Sequence, residues 1–234
     1  IQFDIDKPPV SGEPALLTMH LSAQPFDWWT IGFNRTFMFA GGEDSISLAD
    51  IWNAIIDPVN SDNCVRGGGG GSELEDCSEE FGNQQASISN KFDLNWFDVP
   101  FSLYYEYAGE DTNNFSNYKL ANLANSFGLF LPYIGDSLSL NVEFTTFQSA
   151  WYTHHIYGEG YSNGGVKMGH WWGSMKDSND FVGGEAGSIR FDWQNSGDSQ
   201  ISLLYRTANF NQSSVADYQQ SHELEVKYHK AIDS

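Results

Sequence analysis

Apolar and polar residues alternate along most of this chain. Leu17, Met19, Leu21 and Ala23 interleave with Thr18, His20 and Ser22, and Leu138, Leu140, Val142 and Phe144 interleave with Ser139, Asn141, Glu143 and Thr145. The same period runs through Ala86, Ile88, Asn90, Phe92 and Leu94, through Leu103, Tyr105 and Tyr107, through Ile189, Phe191 and Trp193, and through Leu224, Val226 and Tyr228. A period of two puts successive side chains on opposite faces of a β-strand. One face is therefore apolar. The other carries charges in mid-strand, among them Lys91, Asp93, Glu143, Arg190, Asp192, Glu225 and Lys227. A soluble sandwich also alternates, but mid-strand charge on one face and aromatics near the strand ends of the other fit a membrane barrel with a wet lumen.

The spacing of the strands agrees. Short turns are expected at 24–27, 96–98, 135–137 and 195–198, and long connections at about 41–81, 109–125 and 151–182. Outer-membrane barrels sort their connections this way, tight on the periplasmic side and long outside. The fold expected is all-β, an antiparallel transmembrane barrel of outer-membrane type with 1–234 as one partial barrel domain. About nine strands are counted, whereas single-chain bacterial barrels have even numbers, so the chain reads as part of a larger barrel. The missing terminal aromatic points the same way. Residues 47–56 (SLADIWNAII) are the one helix-like stretch, with Leu48, Ile51, Trp52 and Ile55 at helical spacing. Arg35 shares its parity with Ile31, Phe33, Phe37 and Phe39, which aims it at lipid; a bulge or a place near the interface would relieve that conflict.

Composition narrows the choice of partner. With 31 acidic and 11 basic residues the 234-residue chain carries a formal charge of −20, which opposes nucleic-acid binding. Aromatics at 15% and 23 glycines suit a chain of strands and turns. No apolar run is long enough for a transmembrane helix, although mean hydropathy is only −0.41. The chain begins at Ile1 without Met or an apolar leader and reads as a mature form or a fragment. Cys64 and Cys77 flank a Gly-rich acidic stretch; a disulfide in an oxidising compartment and two free thiols are both open readings. No metal site and no cofactor are expected, since neither the cysteines nor His154, His155 and His170 show ligand spacing with a partner.

Several segments together resemble a known family. Residues 26–42 (FDWWTIGFNRTFMFAGG), then SLADIWNAI, Gly82–Asn83–Gln84, Gly109–Glu110–Asp111, and 152–173 (YTHHIYGEGYSNGGVKMGHWWG) follow in order. In that order they resemble the capsule assembly Wzi family of outer-membrane β-barrel lectins. The resemblance implies an eighteen-stranded barrel with a small periplasmic bundle, of which this chain supplies roughly the C-terminal half and no bundle. It also implies a place in the bacterial outer membrane, loops outward, against outer-membrane lipid, holding capsular or extracellular polysaccharide.

The chemistry in the residues is that of binding. Sugars present C–H faces and hydroxyls, so a lectin needs aromatic platforms beside hydrogen-bonding groups. The densest such segment supplies the candidates Trp151, Tyr152, His154, His155, Tyr157, Tyr161, His170, Trp171 and Trp172. Loop packing and interfacial anchoring would use the same residues. A glycosidase needs two carboxylates facing each other; Glu106 and Glu143 face the lumen, but nothing in the sequence pairs them. No catalytic residue is assigned. Oligomeric state cannot be read from the residues. The rivals are a diffusion porin of the same architecture and a secreted β-sandwich that binds or cleaves polysaccharide.

Overall fold

The computed structural model describes residues 14–39, 48–56, 82–113, 116–153, 157–177, 180–194, 199–211, 218 and 220–230. Nine strands form one antiparallel sheet in the order β1-β2-β3-β4-β5-β6-β9-β10-β11, open at β1 and β11. They are β1 (Ala15–Phe26), β2 (Trp29–Phe39), β3 (Asn83–Trp96), β4 (Val99–Asn113), β5 (Ser116–Ile134), β6 (Leu138–Phe147), β9 (Gly184–Gln194), β10 (Ser199–Phe210) and β11 (Ser221–Lys230). A small hairpin, β7 (Ser162–Asn163) with β8 (Val166–Lys167), lies in the connection between β6 and β9. The helix α1 (Leu48–Ile56) sits where the apolar spacing places it. Apart from the two-residue strands of the β7–β8 hairpin, no second sheet faces this one among the described residues, which argues against the sandwich.

The turns fall at 27–28, 97–98 and 135–137, as the alternation requires, while 195–198 lies outside the described residues. One connection differs from expectation. Residues 109–125 are not a long loop: β4 runs to Asn113 and β5 begins at Ser116, paired Gly109↔Leu123 and Asp111↔Ala121. Strands that rise above the bilayer are wet on both faces, so backbone pairing continues where the apolar alternation has stopped.

Cross-strand register carries the apolar parity from strand to strand. Phe33 pairs with Ile88, Ile88 with Tyr107, Phe127 with Phe144, Val142 with Ile189, and Leu203 with Val226. Apart from the half-buried Tyr107 and Val142 these side chains stay exposed; Phe127 is 53% and Val226 64% accessible. A belt of that kind fits the lipid-facing exterior expected of a membrane barrel. Trp96 and Ile88 bound the belt on β3, ~27 Å apart along the strand at ~3.4 Å per residue. At a tilt of ~40° that spans on the order of 20 Å of bilayer, near the usual apolar band of ~25 Å. Polar groups inside the belt are matched: Asn90 Oδ1 accepts from Trp29 Nε1 at 3.1 Å, and Asn125 Oδ1 from the Tyr105 hydroxyl at 2.8 Å. Without water, an unmatched amide would cost several kcal/mol. At the turn end Phe26, Trp28, Trp29 and Phe92 stack at 5.4–6.4 Å, an aromatic girdle.

Arg35 resolves without a bulge. Pairing through it is regular, to Met19 on one side and Ala86 on the other. It lies toward the loop end of β2, where Nη2 donates to Gln84 Oε1 at 2.5 Å and the guanidinium stands 4.8 Å over the Phe37 ring.

The opposite, inner face is a ladder of charges and hydroxyls. Lys91 pairs with Asp93 at 2.9 Å, Arg190 with Asp192 at 2.9 Å, Arg206 with Glu223 at 3.3 Å and Lys227 with Glu225 at 2.7 Å. Tyr104 lies flat on Gly128, its cross-strand partner, and its hydroxyl donates to Glu143 Oε2 at 3.1 Å. A Cβ on Gly128 would stand 1.8 Å from the Tyr104 ring. Gly128→Ala is expected to eject that ring and to destabilise the barrel by ~1–3 kcal/mol, read as a lower urea midpoint. An unchanged midpoint would mean that the ring does not need the glycine.

Candidate functional site

Most described residues of the connection from β6 to β9 are at least partly buried, while the tip of the β7–β8 hairpin stands in solvent, with Val166 70% exposed. The connection folds back onto the inner face at the loop end of the sheet and plugs it. Trp172 is the anchor: fully buried, it stacks on Phe147 of β6 at 4.6 Å and 12°, and on Phe210 of β10 at 5.2 Å. Trp151 and Val182 join the same cluster, against the small inner-face residues Ala124, Ala186 and Ala208. Small side chains on three strands make the hollow that the indole rings fill. Tyr157 and Tyr161 pack with Met38 in a second cluster.

Local chemistry shapes the plug. Ser162 to Lys167 form a hairpin through Gly164 and Gly165, whose φ values of +57° and +80° suit a tight turn. His170 caps the 3₁₀ turn Trp171–Met175, its Nδ1 accepting from Trp172 N at 3.2 Å. Its other nitrogen lies 3.4 Å from Glu143 Oε1, which ties the plug to the wall of the sheet. Arg206 on β10 stands 5.3 Å over the Trp171 ring. Tyr152 is held at φ +63°, its ring against Gly169 and Gly173, its hydroxyl accepting from His170 N at 2.8 Å. Burial pushes its phenol up to about 12, so that oxygen stays protonated.

Between plug and sheet remains a cavity of about 360 Å³. One wall is polar and comes from β2 to β5: Asn34, Gln85, Ser87, Glu106 and Ser126. The other is largely aromatic: Phe147, Trp151, Tyr152 and His170. Glu106 Oε1 accepts from Ser87 Oγ at 2.5 Å and from Asn34 Nδ2 at 3.4 Å. Asn34 Oδ1 lies 2.6 Å from His20 Nδ1. This wall offers donors and acceptors in a row facing apolar rings, the arrangement that a sugar ring needs.

Of the residues singled out in the sequence, the cavity gathers Trp151, Tyr152 and His170. Trp172, Tyr157 and Tyr161 are packing residues in this structure, and Trp171 is half-buried under Arg206. His154, His155, Cys64 and Cys77 lie outside the described residues. Glu106 and Glu143, which nothing in the sequence pairs, both have partners here, Ser87 and Asn34 for one and Tyr104 and His170 for the other. Asn34, Gln85, Ser87 and Ser126 were missed; their inward parity was the available signal.

Lys176 is buried within the plug. Its ammonium donates to Asp180 O at 2.8 Å, 5.8 Å from the centre of the Trp172 ring. Burial pushes it down to about 8, against the attraction of Glu110. Between about pH 8 and the ordinary lysine value of 10.5 the unfolded chain holds a proton that the folded one has released, so stability rises with pH across that window. Tyr152 and Tyr218, both raised to about 12, act only above pH 10. Thermal melts from pH 8 to 10 are expected to show this rise in the wild type and a flat response in Lys176→Met; equal slopes would refute the assignment.

The family model of capsule assembly protein Wzi matches residues 3–234. The chain belongs to that family. Among solved structures, this Wzi-family chain is similar to Wzi of Escherichia coli, described as an outer membrane protein involved in group 1 capsule assembly and a carbohydrate-binding β-barrel. Identity is 16%, the TM-score is 0.62, and the match covers 94% of this chain and 44% of that one. The likeness establishes the fold, an outer-membrane β-barrel sheet. The chain spans less than half the length of that Wzi protein. No curated protein matches it.

Proposed function

We propose that this Wzi-family protein binds capsular or extracellular polysaccharide at the bacterial outer membrane and anchors it to the cell surface without catalysis. The observation that supports this best is the cavity between plug and sheet, polar on one wall and aromatic on the other, at the loop end of a lipid-facing sheet. The name of the family and the description of its solved relative agree. The porin reading is weakened by the plug itself, because Trp172 and its neighbours fill the inner face where solute would pass.

The test is saturable binding of the detergent-purified protein to the capsular polysaccharide of its own cell, beside a liposome swelling assay. Saturable binding without swelling supports the reading. Swelling without binding would leave a porin instead.

A further inference from the structure

Most of the charge lining this barrel is paired off, but the cavity has a distinct electrostatic character. Among the described residues, Glu106 is the only acidic or basic one other than His170 that lines it, and no described Lys or Arg does. The basic groups described on β2, β10 and the plug are committed elsewhere. Arg35 turns to Gln84 on the outer face, Lys176 to Asp180 O, Lys167 to Lys176 O, and Arg206 to Glu223 and the Trp171 ring. Of the Glu106 carboxylate, Oε1 holds Ser87 and Asn34, while Oε2 has no hydrogen-bond partner among the described residues. An ionised carboxylate can only accept hydrogen bonds. It therefore recognises hydroxyl donors and repels any second carboxylate in a half-buried site, where screening is weak.

Size and shape narrow the ligand further. About 360 Å³ is at the small end of ligand cavities, enough for one or two sugar rings rather than a stretch of chain. Phe147, Trp151 and Tyr152 supply apolar surface for the C–H side of such a ring, and Asn34, Gln85 and Ser126 supply groups for its hydroxyls.

We infer that this cavity is a subsite for an uncharged pyranose unit of the glycan, with the Glu106 carboxylate accepting its hydroxyls and excluding acidic sugar units. The inference rests on the polysaccharide-binding reading above and specifies its ligand. Acidic units of the same glycan remain outside, in the electrolyte of the lumen.

The experiment uses the detergent-purified protein and tryptophan fluorescence, which Trp151 in the wall makes sensitive to occupancy. The probes are the methyl glycosides of glucose, galactose and mannose and, for comparison, those of glucuronic and galacturonic acid, at pH 7. At least one neutral glycoside is expected to bind saturably, and at least tenfold more tightly than its uronic counterpart. Glu106→Gln keeps the shape and removes the charge; it is expected to weaken the neutral ligand about tenfold, the scale of one charge-assisted hydrogen bond, and to erase the discrimination. Ala108→Leu, which fills the cavity, is expected to abolish both. Equal or tighter binding of the uronate, no binding of any neutral glycoside, or an unchanged Glu106→Gln variant would overturn the inference. If the intact polysaccharide still binds in those cases, the anchoring function stands and only the subsite falls. If the intact polysaccharide does not bind, the function itself falls.

Discussion

Trp172→Ala is expected to release the plug. The indole is fully buried between Phe147 and Phe210, and truncating a buried tryptophan costs ~3–5 kcal/mol through lost contact and the cavity left behind. The other anchors among the described residues are separate from that contact: Trp151 and Val182 in the same cluster, Tyr157 and Tyr161 on Met38, the His170–Glu143 link at 3.4 Å, and the Arg206–Trp171 stack. The sheet is held independently by strand pairing, so its thermal resistance should change far less than the plug. Limited proteolysis of protein in detergent should therefore cut between β6 and β9 in the variant and not in the wild type. Equal resistance in both would show that the plug is held by something other than this ring. Release of the plug would also open the inner face, so the variant should admit solutes in a swelling assay that the wild type excludes.

The second large effect lies on the outer face. Val142 sits half-buried in mid-strand between Leu129 and Ile189, within the outward apolar belt. Val142→Arg is expected to cost ~2–4 kcal/mol if this surface meets the bilayer midplane, and to block assembly into vesicles. Ser139→Arg makes the control. Ser139 lies on the same strand but on the inner face, in register with Asp192, where an added cation gains a counter-charge. The outward variant should fail to fold into lipid while the inward one folds. The reverse result, or equal folding of both, would contradict the assignment of the faces and with it the barrel. Few other substitutions separate two architectures so sharply, because a soluble sheet would bury the apolar side and expose the other.

Legibility from the residues differed by feature. The strands were readable wherever one face met lipid, since hydrocarbon on one side and water on the other impose a period of two on the side chains. Leu138 to Phe147 and Ile189 to Trp193 show it directly, and their observed pairing keeps the parity. It was lost at 109–125, where Gly109, Asn113 and Asn122 read as loop although the strands continue. The helix was readable because its apolar spacing is local. The aromatic run 151–172 was legible as important but not as to why: a ring that stacks on a sugar and one that fills a hollow over Ala124 and Ala208 have the same composition.

Sequence alone determined which residues face lipid, which face the lumen, and where the short turns fall, because each follows from neighbours a few positions apart. It also set the strongly acidic balance, with 31 acidic against 11 basic residues. Only the tertiary structure decided that the β6–β9 connection folds inward, and that Trp172 is its anchor. It also decided that Asn34, Ser87 and Glu106 meet Trp151 and Tyr152 across a cavity. Those residues come from β2, β3, β4 and the plug, and a period of two names the face of each strand but not what lies opposite it. What lies opposite is settled by shape, by small residues on three strands leaving room for indole rings, and that information exists only once the strands are side by side.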